Sequence, residues 1–242
     1  LPWASAFPFS LLILFHIVFW LGMLHVPLML WAVAPCLIAA VAGAAWLAKK
    51  SASPAKTEPA PPWDKRDRIL LLSSGLVGAV LLTRSAISPL IGYDTRFRWD
   101  FLAQRILALG KFDFYPPLNA ADFHTYFYVD GIPPLVSFTH WWLYASAGEY
   151  LPALICLLVT GQFACTLVFT YAAASAVFSR RAGILAAALL GACPLFFRAV
   201  VLGQETGLTA LSIAATLYFV VTAREGNNHS AMVSAGLAAA LC

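Results

Sequence analysis

A chain of 242 residues that is 61% hydrophobic and 11% charged, with a mean hydropathy of +0.80, is unlike a soluble domain, where about a quarter of residues carry charge. Its net charge of +4 collects in short stretches between apolar runs, which reads as membrane-orientation bias and not as a nucleic-acid surface. The apolar runs are continuous and close to the roughly 20 residues a helix needs to cross a bilayer, so an all-α, polytopic transmembrane helical bundle is expected and a barrel is not.

Taken in chain order, the first two runs lie near 9–24 and 27–48 and make an N-terminal pair of transmembrane helices, residues 1–48. No basic segment precedes the first run, which argues against a secretory signal peptide. Residues 49–68, "KKSASPAKTEPAPPWDKRDR", carry Lys49, Lys50, Lys56, Lys65, Arg66 and Arg68 among Pro, Ala and Ser, and read as a flexible cytoplasmic linker. A second module, 69–242, then opens with a span near 69–90 and continues with spans near 149–178, 182–202 and 206–223 and a seventh from about 231. Arg180, Arg181 and Arg224 fall on the same side as the linker, which leaves the long loop 91–148 and the short 203–206 turn on the outer face. The expected location is an integral, multi-pass position in the cell inner membrane. The chain starts at Leu1 and stops at Cys242 inside an apolar run, as a piece of a longer protein would. Five cysteines (Cys36, Cys156, Cys165, Cys193, Cys242) lie within apolar spans without metal or redox spacing and read as small core residues.

A loop of nearly sixty residues, rich in aromatics, is expected to be folded and to hold the chemistry. It begins with "GYDTRFRWDF", four charges just past an apolar span. At helical spacing Trp99, Leu102, Ile106 and Leu109 share one face while Asp94, Arg98 and Arg105 share another, and Gly110 supplies a stop. This predicts an amphipathic juxtamembrane helix over 95–109, lying along the membrane surface. The stretch "IPPLVSFTHWWLYASAG" predicts a second interfacial helix near 134–146.

An outward-running helix, an acidic residue at its outer end, an amphipathic helix and a Pro-Pro-Leu element follow one another here. In that order and topology, residues 69–223 resemble the GT-C glycosyltransferases, nearest the protein O-mannosyltransferase and lipid A aminoarabinose transferase branch. The residues that carry the resemblance are Asp94 and Ile132-Pro133-Pro134-Leu135, with Tyr115-Pro116-Pro117-Leu118 as a second version of the latter. Ile132 stands where His or Tyr is usual in that family, and Asp94-Thr95 where Asp-Glu is common. The resemblance implies transfer of a sugar from a polyprenyl-phosphate donor to an acceptor of unspecified class on the outer face, by single displacement with inversion.

On this reading Asp94 is the candidate general base for the acceptor hydroxyl. The alternative is an i,i+4 ion pair from Asp94 to Arg98 that only ties down the helix. Asp100 is read as a solvated or structural charge. The phosphate leaving group calls for cations, and Arg198, Arg96 and Arg98 are candidates to hold it, whereas Arg84 reads as snorkelling to headgroups. Glu205, in the second outer turn, is a candidate substrate contact, or else an acidic residue favoured by a helix N-terminus. Asp94 with Glu205 leaves room for a divalent metal, whose ligand set stays open. His124 and His140 lack metal-ligand spacing, and His140 is kept as a candidate substrate contact. Two other classes stay in view: a polytopic transporter, which would show inverted repeats, and a non-catalytic membrane assembly protein, for which Asp94 and Glu205 would be dispensable.

Overall fold

The computed structural model describes residues 2–51, 64–112, 134–226 and 229–241. Tyr115 to Leu118, His124, Ile132, Pro133 and most of the linker lie outside the described residues. The described residues are helical, with no strand among them.

Helices α1 (Pro2–Met23) and α2 (Leu30–Ser51) form a hairpin. On α1, Ala4, Leu11 and Val18 recur every seventh residue and are buried, while Trp20 on the other side is exposed. That is the one-sided burial of a helix with protein on one flank and lipid on the other. The apolar part of α2 includes Leu30–Trp46. The hairpin turn packs against the outer loop: the Leu28 N–H donates to the Gly110 carbonyl at 2.7 Å, and a Cβ on Gly22 would lie 2.8 Å from the Phe112 ring.

Helix α3 (Lys65–Ile87) starts at a reciprocal cap, in which Asp64 accepts from the Asp67 N–H at 2.7 Å and Asp67 accepts from the Asp64 N–H at 3.4 Å. Thr95–Asp100 form a π turn that continues into α4 (Phe101–Leu109), ended by Gly110 at φ 64°. Left-handed backbone of that kind is what glycine accepts without a Cβ clash. Helix α5 (Leu135–Ala147) follows, then a short 3-10 turn at Pro152–Leu154 and the long α6 (Ile155–Val177). The stretch expected as one span over 182–202 is two helices, α7 (Arg180–Gly191) and α8 (Pro194–Val201), bent by 63°. The break is local chemistry: Pro194 has no N–H to continue the ladder, and Cys193 before it is extended, as pre-proline residues prefer. Helices α9 (Glu205–Gly226) and α10 (His229–Ala239) complete the described chain.

Four helices, Trp3–Met23, Lys65–Ile87, Pro152–Val177 and Glu205–Arg224, are long and apolar enough to cross a membrane, and the bent α7–α8 pair makes a fifth if it counts as one span. The molecule is a multi-pass membrane protein.

Both helices expected in the 91–148 loop form, and their apolar sides meet protein. The apolar side of α4 (Leu102, Ala103, Ile106) is covered by α5, and only Leu109 at its end stays exposed, at 41%. Helix α5 is enclosed rather than one-sided: Phe138, Trp141 and Tyr144 are among the most buried large side chains in the molecule. Its aromatics fill the space between α1, α4 and α6, with Phe138 edge-on to Phe112 at 5.2 Å and tilted against Phe15 at 5.8 Å. Of the described cysteines, Cys165 is buried but Cys36 is exposed, so the core reading holds for the first and not the second.

Two sets of contacts divide the bundle into ends. At one end Arg180 lies 4.0 Å from Asp67 and Arg181 3.6 Å from Asp64. At the other, the α1–α2 turn, residues 88–112, α5 and the turn at 202–205 meet one another.

Candidate functional site

Two joins at the second of these ends assemble the polar residues. The first links the turn before α4 to the turn before α9. Thr95 is completely buried, donates its hydroxyl to the Leu202 carbonyl at 2.9 Å and accepts from Gln204 Nε2 at 2.6 Å. Gly92 makes room for this pair, because a Cβ there would lie 2.4 Å from Thr95 Oγ1 and 2.6 Å from Gln204 Nε2. Asp94 and Glu205 each follow or precede a member of this hydrogen bond in sequence, so the two candidate acidic residues flank one joint.

Asp94 itself is exposed, and the 2.6 Å Thr95 to Gln204 contact beside it is made without it. No ion pair from Asp94 to Arg98 forms among the described residues; the Arg98 guanidinium instead lies 5.8 Å above the Trp99 ring. Glu205 opens α9 and is half-buried, with Oε2 enclosed and lacking a hydrogen-bond partner. Arg198 is exposed in the last turn of α8. The Arg96 Nε donates to the Leu90 carbonyl at 2.8 Å.

The second join centres on Asp100, which is 1% exposed, so that of the two readings, solvated or structural charge, the structural one fits. Its carboxylate accepts from Tyr144 Oη, from Tyr150 Oη at 2.8 Å and from Gln104 Nε2 at 2.6 Å. His140 is wholly buried one turn from Tyr144, its Nε2 3.2 Å from the Gly203 carbonyl and its Nδ1 3.9 Å from Asp100. Since a carbonyl can only accept, Nε2 carries the proton, and a neutral ring then turns the Nδ1 lone pair toward Asp100. Burial holds this imidazole neutral, pushing its pKa down from 6.5 to about 4 against the opposing pull of Asp100 and of the Gly203 carbonyl. Burial first and Asp100 second push the Tyr144 and Tyr150 phenols upward, so both stay protonated donors.

The spacing behind this cluster is helical on both sides. Asp100 and Gln104 are i,i+4 on the π-to-α segment, and His140 and Tyr144 are i,i+4 on α5. Those two pairs of polar residues inside apolar helices were the available signal for a buried network, and the face-by-face reading of α4 alone missed it.

Asp100 also borders an open cavity of about 780 Å³, whose other polar walls are Arg84, Ser88, Arg96, Gln104 and Tyr150. Arg84, read from sequence as a snorkelling cation, and Arg96 therefore face one space, whereas Asp94, Arg98, Arg198, Glu205 and His140 do not line it. A second hollow, of about 510 Å³, lies between α3, α6 and α7 with Trp3 at its rim and has no charged residue in its walls, so the polar chemistry belongs to the first. Among the described residues no three His, Cys, Asp or Glu side chains converge as a metal site requires; Asp94 and Glu205 are two oxygen donors where a divalent cation wants six or more.

Comparison with known proteins agrees with this architecture over the second half of the chain. No curated protein and no solved structure matches. Residues 133–242, from the Pro-Pro-Leu element through α5 to α10 and just under half of the chain, match the family model described as dolichyl-phosphate-mannose-protein mannosyltransferase, a family of GT-C type membrane glycosyltransferases.

Proposed function

We propose that this protein moves a sugar from a polyprenyl-phosphate donor to an acceptor hydroxyl on the extracytoplasmic face, with Asp94 as the general base. The observation that carries the reading is the Thr95–Gln204 joint, which brings the loop beginning at Asp94 and the turn ending at Glu205 into direct contact at the end of the bundle away from Arg180 and Arg181. The matching family's description supplies the donor class, a lipid phosphate carrying a hexose.

In the step itself the acceptor oxygen attacks the anomeric carbon from the side opposite the phosphate. The new C–O bond forms as the bond to the phosphate oxygen breaks, and the phosphate leaves with the electron pair. The acceptor's proton passes to the Asp94 carboxylate, whose exposure leaves it open to an incoming hydroxyl. Glu205, with one oxygen enclosed and unpartnered, positions the acceptor. Arg96 supplies charge to the phosphate. The protein lies in the inner membrane with residues 64–68, 180–181 and 224 in the cytoplasm, the side to which basic residues are biased.

The test is transfer from a polyprenyl-phosphate hexose by the full chain. Asp94→Asn keeps the shape and removes the base, so turnover should fall by about 10²–10⁴-fold with folding intact. Near-normal turnover in that variant would remove Asp94 from the chemistry.

A further inference from the structure

The walls of the 780 Å³ cavity have opposite hydrogen-bonding polarity, and Asp100 is the reason. A carboxylate can only accept, so each group that meets it must spend a donor there. Tyr150 gives its O–H to Asp100 Oδ2, which leaves the phenol oxygen's lone pairs as what it can offer a ligand. Gln104 gives one N–H of its amide to the same oxygen, which fixes the orientation of the amide and leaves Oε1 as an acceptor beside the second N–H. One wall is thus biased toward accepting character by a buried anion behind it, through the Tyr150 oxygen and Gln104 Oε1. On the other side, Arg84 and Arg96 can only donate. Neither is ion-paired among the described residues, neither closes on Asp100, and Arg96 has only its Nε committed, to the Leu90 carbonyl at 2.8 Å. The cavity is open, and Tyr150 is 42% exposed at its edge, so the accepting wall can be reached.

A ligand that satisfies both walls must carry hydroxyl donors on one side and an anionic group with several acceptor oxygens on the other. A bare anion would meet the arginines but leave the Tyr150 oxygen and Gln104 Oε1 facing it with like polarity. A neutral sugar would leave two guanidiniums unmatched.

The geometry points to this cavity as a binding site for a phosphate ester with adjacent hydroxyls, with Arg84 and Arg96 on the phosphate and Tyr150 and Gln104, set by Asp100, on the hydroxyls. Asp100 is a positioning residue here and acts through the two side chains it holds. Such chemistry is common to a lipid-linked sugar phosphate and to a polyol phospholipid headgroup. The assignment to the sugar carrier rests on the glycosyltransferase reading; the recognition itself does not.

Three probes separate these possibilities in the full chain in detergent micelles: a polyprenyl-phosphate hexose, the same polyprenyl phosphate without sugar, and phosphatidylglycerol. The hexose carrier should bind more tightly than the bare phosphate. Arg84→Gln and Arg96→Gln should weaken both by about tenfold, the scale of a charge-assisted bond. Tyr150→Phe and Gln104→Leu should weaken only the hexose carrier, by about fivefold, so that its advantage over the bare phosphate disappears. The same two-part pattern seen with phosphatidylglycerol in place of the hexose carrier would uphold the polyol-phosphate site and assign it to a headgroup. Cavity-dependent binding of the hexose carrier without any transfer would uphold the site and remove the glycosyltransferase reading. Binding of all three probes unchanged in the folded Arg84→Gln, Arg96→Gln double variant would overturn the proposal, as would equal losses for hexose carrier and bare phosphate in Tyr150→Phe.

Discussion

Asp94 and Asp100 flank the same π turn and carry the same functional group, but one is exposed while the other is buried under three donors. Their substitution should therefore separate by readout. Asp94→Asn should cost turnover and leave the unfolding midpoint where it was. Asp100→Ala should cost stability first, about 3 kcal/mol, because the Tyr144 hydroxyl would be left in a buried space with nothing to accept from it. Thermal unfolding in detergent alongside transfer reads both; equal loss of stability in the two variants would contradict the assignment. His140 gives a pH signature at the same scale. Its folded-state pKa of about 4 lies below the ordinary 6.5, so its contribution to stability is complete above pH 6.5 and is lost as pH falls toward 4. In that window the unfolded chain binds a proton that the buried ring refuses, and the slope should be about 1.4 kcal/mol per pH unit. Unfolding midpoints at pH 7.5, 6 and 5 should fall more steeply in the wild type than in His140→Gln, and parallel curves would show that this ring does not titrate as described.

Among the elements, the π turn, α4 and α5 hold the site through burial against one another. Trp99, Leu102 and Ile106 were legible as one apolar stripe, and Gly110 as the stop, because helical spacing and glycine's left-handed freedom are local properties. What covers the stripe was not legible. An apolar face reads the same whether lipid or α5 lies against it, and the polar members of α5 that meet Asp100 are separated from it by a long loop in sequence. The break between α7 and α8 was hidden for a similar reason: Cys193-Pro194 sits in a stretch whose average hydropathy is that of one span. Packing between elements makes two opposite predictions for glycine. A Cβ on Gly183 of α7 would lie 2.0 Å from Ser175 Oγ and 2.5 Å from the Tyr171 carbonyl oxygen of α6, so Gly183→Ala should destabilise by about 1–3 kcal/mol. A Cβ on Gly75 in α3 meets nothing within 4 Å, and Gly75→Ala should stabilise by about 0.5–1 kcal/mol through helix propensity. Melting curves of the two variants test the α6–α7 crossing directly, and a Gly183→Ala protein as stable as wild type would contradict it.

For the whole molecule, the contacts gather at two ends of the bundle. The Asp64/Asp67 and Arg180/Arg181 pairs tie α3 to α7 at one end, while Thr95, Gln204, His140, Gly203, Leu28 and Gly110 tie the hairpin turn, outer loop and α9 turn together at the other. The sequence's charge bias placed 49–68, 180–181 and 224 on one side, and among the described residues the contacts at 64–67 and 180–181 lie together as that requires. Which candidates share a space was the part that linear reasoning could not reach: Arg96 and Arg84 line the polar cavity with Asp100, whereas Arg198, ranked with Arg96 as a phosphate partner from sequence, sits exposed on α8 and does not line it. Sidedness of transfer tests the account most directly. The full chain is reconstituted in sealed vesicles whose orientation is fixed by protease access to the Lys65–Arg68 segment. A polyprenyl-phosphate hexose and a membrane-impermeant acceptor are then supplied from one side at a time. The account predicts transfer only when the acceptor is on the side away from Lys65–Arg68, and loss of that transfer in Asp94→Asn. Transfer only from the Lys65–Arg68 side, or none from either side with folded protein and bound donor, would contradict it.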